Sequence, residues 1–240
     1  MGTELRHCRV CDEAALGERR LKAMAKEVFG SGRLGGDGIL RRRGPENPAE
    51  LRRRWSAAMS MRALAEFGVL GDEAEILAVG PGCEEAVRWL SLRTQRVFAT
   101  DPVPVREQSN PRRLVVQEMP PDELRYEDGS MDALISTSTF ERLGRMDRAR
   151  AVAREMHRVL KPGGVAAISA PFATDVPGAG VTDPLLFDEA ALRSVFLPEE
   201  VSWAISDPLD AEPADTKLAS REAGRVWTSV HLLLVKPLYH

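Results

Sequence analysis

Only three cysteines stand among the 240 residues: Cys8, Cys11 and Cys83. That is too few for a complete disulfide framework, so a reducing, cytoplasmic setting is expected. Aromatic residues make up just 5%, which argues against a surface built to stack nucleic-acid bases. Lysine is confined to Lys22, Lys26, Lys161, Lys217 and Lys236; we read the resulting excess of arginine as codon bias. No run of 18 apolar residues occurs, so no membrane-spanning helix is expected. The stretch Met1 to Arg6 lacks the apolar core of a signal peptide. Neither sign of charge is in excess, with 33 basic and 36 acidic residues and a net charge of −3. A wholly basic nucleic-acid coat and an acidic disordered tail are both excluded. The balance hides a split, +5 over residues 1–60 and −8 over the remainder.

What is present is an ordinary globular composition, 43% hydrophobic and 29% charged. A chain of this length can remove roughly 70–75% of its unfolded surface from water without help from disulfides or metal. Residues 1–70 read as a peripheral helical cap. Leu21, Met24 and Val28 recur at helical spacing, a glycine-rich and mobile link follows from Gly30 to Gly38, and Asn47-Pro48 with Glu50 three after the cap starts a second helix through Trp55, Met59, Leu64 and Phe67. Residues 71–240 read as the main domain. Strands are expected at 76–79, 96–100, 114–116, 131–136 and 165–169, with helices at 84–92 and 147–160 between them. A helix at 188–196 and strands near 201–205 and 226–235 complete the pattern. Strands alternating with helices predict an α/β fold, a parallel sheet covered on both faces.

The first of these strands runs into Val79-Gly80-Pro81-Gly82, and a helix follows. Glycine there serves either a tight turn or the close approach of a ligand to free N–H groups at a helix start. The second strand ends in Asp101, 19 residues after Gly82. A carboxylate at that place can accept hydrogen bonds from both hydroxyls of a ribose, and it can equally be a solvated turn residue. Further on, Asp128-Gly129-Ser130-Met131-Asp132 feeds a strand and Leu160-Lys161-Pro162-Gly163-Gly164 turns a helix into one.

In this order and spacing the chain resembles the class I S-adenosylmethionine (SAM)-dependent methyltransferases, most clearly over residues 72–172. The resemblance implies a Rossmann-like, seven-stranded, mostly parallel sheet whose last strand is antiparallel. It implies SAM as cofactor, held by Val79, Gly80, Pro81 and Gly82, with its ribose on Asp101, its adenine near Glu118 and Met119, and its methionine part near Ser136. Phe140, Glu141, Arg142 and Phe172 would face the acceptor. A small-molecule acceptor is expected from the habit of the family and the short cap. A nucleic-acid acceptor is the second option and rests on the arginine triplets alone. The alternative is a binding or regulatory protein that keeps the fold with weak or lost SAM affinity.

Four positions depart from the family pattern. Ala78 stands where an acid usually precedes the first glycine by two, and Glu84 replaces a third glycine. Pro120 and Pro121 leave the register of Glu118 open, and Arg142 stands where many relatives have histidine. Elsewhere, Cys8-x-x-Cys11 has the spacing of half a zinc site, but His7 is poorly placed to complete it. No metal is expected, and two ordinary thiols near a mobile terminus are the plainer reading. The triplets Arg41–Arg43 and Arg52–Arg54 read as a solvated face or as contacts to an anionic acceptor. Glu141 reads as an acceptor contact or as the surface partner of Arg142 or Arg145.

Overall fold

The computed structural model describes residues 6–30, 47–80, 84–100, 113–175, 185–198, 203–212, 217–222 and 225–238. The link expected from Gly30 to Gly38 therefore lies, beyond Gly30 itself, outside the described residues, as do Pro81, Gly82, Asp101 and the triplet Arg41–Arg43.

The chain begins with a short strand, β1 (Arg9–Val10), and three helices, α1 (Glu13–Gly17), α2 (Arg19–Phe29) and α3 (Pro48–Glu66). Then follow β2 (Glu75–Val79), α4 (Glu84–Ser91), β3 (Arg96–Thr100), β4 (Leu114–Gln117), β5 (Met131–Ser136), α5 (Met146–Val159) and β6 (Leu160–Ala173). The last elements are α6 (Glu189–Phe196), β7 (Ala204–Ile205), β8 (Ser220–Glu222) and β9 (Arg225–Val235). Local chemistry sets several helix starts. Asn47 Oδ1 accepts from the Ala49 N–H at 3.1 Å, with Pro48 in the first turn where it has no N–H to lose. Asp12 caps α1 through the Ala15 N–H and Asp188 caps α6 through the Ala191 N–H.

The sheet runs β1-β9-β6-β5-β2-β3-β4, with β2 through β6 parallel and β9 antiparallel to β6. The mostly parallel, doubly covered sheet with an antiparallel last strand is as expected. Ile76 to Val79 and Ala133 to Ser136 are continuously buried, the signature of strands covered on both faces. One helical group joins α2, α3 and α4, with α3 packed on β6 and β9; α5 and α6 pack together as another.

The outer edge of β9 is where the structure departs most from the sequence reading. Three short strands cover it end to end: β8 against Arg225–Trp227, β1 against Val230–His231, and β7 against Leu234–Val235. Thus the segment expected to be a peripheral terminus is built into the sheet, and it supplies hydrogen bonds to an edge that would otherwise present unpaired groups. Cys8 and Cys11 are buried with it, which corrects their reading as thiols near a mobile terminus. The Cys8 Sγ accepts from the Leu233 N–H at 3.3 Å, and burial pushes its thiol upward in pKa, so it stays protonated. Among the described residues no group of three or more His, Cys, Asp or Glu side chains could hold a metal.

Candidate active site

The chain reverses its direction of travel across the sheet at β2. From there it steps outward through β3 and β4, then returns to β5 on the other side and continues to β6. Two loops thereby leave the carboxyl ends of adjacent strands, β2 and β5, in opposite directions. In open α/β sheets such a switch point opens the crevice in which ligands bind.

The two loops are stitched together by hydroxyl groups. Gly80 has φ +52°, a left-handed conformation that suits glycine, and its N–H donates to the Thr100 carbonyl at 2.8 Å. A Cβ at Gly80 would collide with Thr139 Oγ1. That hydroxyl donates to the Val79 carbonyl at 2.8 Å and accepts from Ser136 Oγ at 3.0 Å. The Gly80 carbonyl accepts from both the N–H and the Oγ of Ser138, at 3.2 and 3.1 Å. Arg142 in turn holds Ser138: its Nε donates to the Ser138 carbonyl and its Nη2 to the Ser138 Oγ, each at 3.0 Å. The run Ser136-Thr137-Ser138-Thr139 thus fixes the glycine turn from outside. Four consecutive hydroxyl residues after a strand were the visible signal for this, and the sequence reading used only the first.

Of the expected cofactor residues, Val79, Gly80 and Ser136 meet in this network. Glu118 is exposed just beyond β4, and Met119 beside it is buried. The neighbouring Gln117 is anchored by the Tyr126 hydroxyl, which donates to its Oε1 at 3.0 Å. Ala78, where the family pattern has an acid, is fully buried in β2 between Ala99 and Ile135. Of the expected acceptor residues, Phe140 is 0% exposed and packs edge-on against Phe196 and Phe187, with ring centroids 4.9 and 6.1 Å apart. Phe172 is also buried, in register with Phe187. Both rings support the site from within the core and do not line its surface.

Glu141 sits on the single 3-10 turn Phe140–Arg142 after β5. Water reaches its carboxyl, yet the surrounding protein is dense enough to push its pKa above the usual carboxylate range; Arg142, Arg52 and Arg53 pull it back. Among the described residues no cation comes within ion-pairing distance of it, and Arg145 pairs instead with Asp147 at 2.7 Å. Arg52, read from sequence within a solvated face, is 2% exposed. Its Nη1 donates to the Leu218 carbonyl and its Nη2 to Ser220 Oγ at 2.7 Å, while the guanidinium lies 4.4 Å from the Trp227 ring centroid. The sequence held a signal here too, because Arg52, Trp55 and Met59 share one helical stripe.

The opposite end of the sheet carries the motifs that are most visible in sequence. Gly129 donates its N–H to the Arg158 carbonyl, and Lys161 Nζ meets Asp132 Oδ1 at 2.6 Å. An open groove of about 610 Å³ lies there, lined by Gly68–Ala74, Asp132 and Lys161–Gly164. Its Lys161–Asp132 pair is already made, and Asp132 also accepts from the Glu75 N–H, so this pair frames the strand starts.

Fold and switch point together define a class I, Rossmann-like methyltransferase architecture. Residues 77–168 match the family model of a methyltransferase domain. Solved structures agree in fold. A Galdieria sulphuraria protein assigned as a sarcosine dimethylglycine methyltransferase superposes with a TM-score of 0.58 at 18% identity, over 91% of this chain and 98% of that one. A Burkholderia thailandensis 1,6-didemethyltoxoflavin-N1-methyltransferase, solved with 1,6-didemethyltoxoflavin and S-adenosylhomocysteine, gives 0.56 at 18% identity over 99% and 93%. The [4+2]-cyclase SpnF gives 0.55 at 17% identity over 95% and 94%. No curated protein matches the sequence significantly.

Proposed function

We propose that the protein transfers the methyl group of SAM to a small-molecule acceptor at the carboxyl ends of β2 and β5. The observation that carries this reading is the switch point itself, where the Val79–Gly80 turn is locked by Thr139 and Ser138. A turn held this way keeps its backbone fixed before any ligand arrives, which lowers the ordering cost of binding. The residues present fit the cofactor in kind. Gly80 keeps the turn free of a side chain, and Glu118 leaves an exposed carboxylate at the end of β4 for a polar base edge. Asp101, outside the described residues, is the proposed ribose ligand, with Pro81 and Gly82 completing the loop. SAM supplies the methyl group on a sulfonium that is its own leaving group, so alignment and exclusion of water are the protein's main tasks. Glu141 and Arg142 stand on the acceptor side, Arg142 as a positioning residue that holds Ser138 against the Gly80 carbonyl.

Calorimetric titration with SAM and S-adenosylhomocysteine tests the reading. Saturable binding below millimolar is expected, and Asp101→Ala should weaken it more than tenfold. Absence of binding by either compound overturns the proposal and favours a fold retained for another purpose.

A further inference from the structure

The peptide groups on either side of Gly80 are both engaged within the chain. The peptide joining Val79 to Gly80 donates its N–H to the Thr100 carbonyl at 2.8 Å, and its own carbonyl accepts from Thr139 Oγ1 at 2.8 Å. The peptide joining Gly80 to Pro81 has no N–H. Its carbonyl has two lone pairs. The Ser138 N–H and Oγ take both, at 3.2 and 3.1 Å. Arg142 sets the direction of the second bond. A guanidinium can only donate, so the Nη2 bond to Ser138 Oγ at 3.0 Å turns the hydroxyl hydrogen toward Gly80. The same guanidinium puts a positive charge two hydrogen bonds away from the Gly80 carbonyl. Two residues before Gly80, the buried Ala78 brings no carboxylate.

The methionine part of SAM carries an α-ammonium, which must be met by acceptors. To reach the Gly80 carbonyl it would have to displace the Ser138 hydroxyl beside a like charge. Exchanging one hydrogen bond for another returns little. An open carbonyl, or an acid at position 78, would instead add a charge-assisted hydrogen bond, about tenfold to a hundredfold in affinity. From this arrangement we infer that Ser138 is a specificity-determining residue for the cofactor: by closing the Gly80 carbonyl it removes the α-amino group from recognition, so the site takes sulfur-substituted adenosines with or without that amine. This deepens the methyl-transfer reading and rests on it. Alanine at position 78 accords with it, because an acid there would have no ammonium to hold.

The test is calorimetry on the full chain with three ligands: S-adenosylhomocysteine, its analogue lacking the α-amino group, and methylthioadenosine, which lacks the whole amino-acid tail. The first two should bind within about threefold of each other. Ser138→Ala frees one lone pair of the Gly80 carbonyl and should introduce a preference of about fivefold or more for the amine. Methylthioadenosine should bind this variant as it binds the unaltered protein. That third ligand separates specificity from structure, because a loosened turn would weaken all three alike. A preference of about tenfold or more for the amine in the unaltered protein overturns the inference, whether or not the variant folds. A folded Ser138→Ala protein with an unchanged ratio also overturns it. If neither S-adenosylhomocysteine nor methylthioadenosine binds, the methyl-transfer reading falls, and this inference with it.

Discussion

Arg52 and Arg62 both lie on α3, and each is 2% exposed. Their surroundings differ completely. Arg62 donates to Glu18 at 2.9 Å and to the Arg6 carbonyl at 3.1 Å, with Glu66 at 3.9 Å. Glu66 also meets His7 at 3.0 Å, and the His7 carbonyl bonds Nδ1 of the fully buried His231 at 2.7 Å. Every charge there has a counterpart, and the cluster binds the N-terminal segment to the sheet. At the other end of the helix Arg52 has a carbonyl, a hydroxyl and an indole, and Glu141 nearby has no ion pair among the described residues. Burial alone does not say how an arginine is held: one of the two is matched by carboxylates, the other by neutral groups.

The sharpest way to break this comparison is to remove each charge in turn. Arg62→Met should cost about 3 kcal/mol, because it strands the partly buried Glu18 and Glu66. Arg52→Met should cost only about 1 kcal/mol, since no carboxylate loses its partner. Urea denaturation of the two variants measures the difference, and equal losses would erase the distinction between the two ends. Next in size, Gly80→Ala should lose about 2 kcal/mol from its left-handed backbone and the collision with Thr139. Adding Thr139→Ala should recover part of that loss, a non-additivity visible in the same experiment.

A further effect is a pH slope from the closed cluster. Burial lowers the His231 pKa from the ordinary 6.5 of a free imidazole to about 3, so it is neutral in the folded state. The unfolded chain gains a proton at this residue near pH 6.5, and the folded chain gains it only near pH 3. His231 therefore supports stability above the upper value, and the support fades as pH falls through that window, by about 1.4 kcal/mol per pH unit. His231→Asn should remove one proton's worth of slope from the stability profile measured between pH 6 and pH 4.

Much of the architecture was legible because it is written locally. Arg96–Thr100 and Met131–Ser136 form strands with the expected bounds, and Asn47-Pro48 starts α3 through a cap with a partner two residues away. The strand expected at 165–169 extends instead from Leu160 to Ala173. The register of β9 carries its far end to Ala173, and the Gly163 N–H reaches the Lys236 carbonyl at 2.7 Å. The site was legible in part. Val79, Gly80 and Ser136 do meet, but Phe140 was assigned to the acceptor from its place in a motif, whereas its ring is enclosed by Phe187 and Phe196. Short range chemistry in the chain thus specifies strand, helix, cap and glycine turn, since each depends on neighbours within a few residues.

Which edge β1 would join, and which arginine of α3 would meet a carboxylate, depend on groups far apart along the chain. Glu18 reaches Arg62 across 44 positions, Ser220 reaches Arg52 across 168, and the Cys8 sulfur meets Leu233 across 225. Charges on one helix are indistinguishable in sequence, because their meaning lies in the partner that folding brings to each.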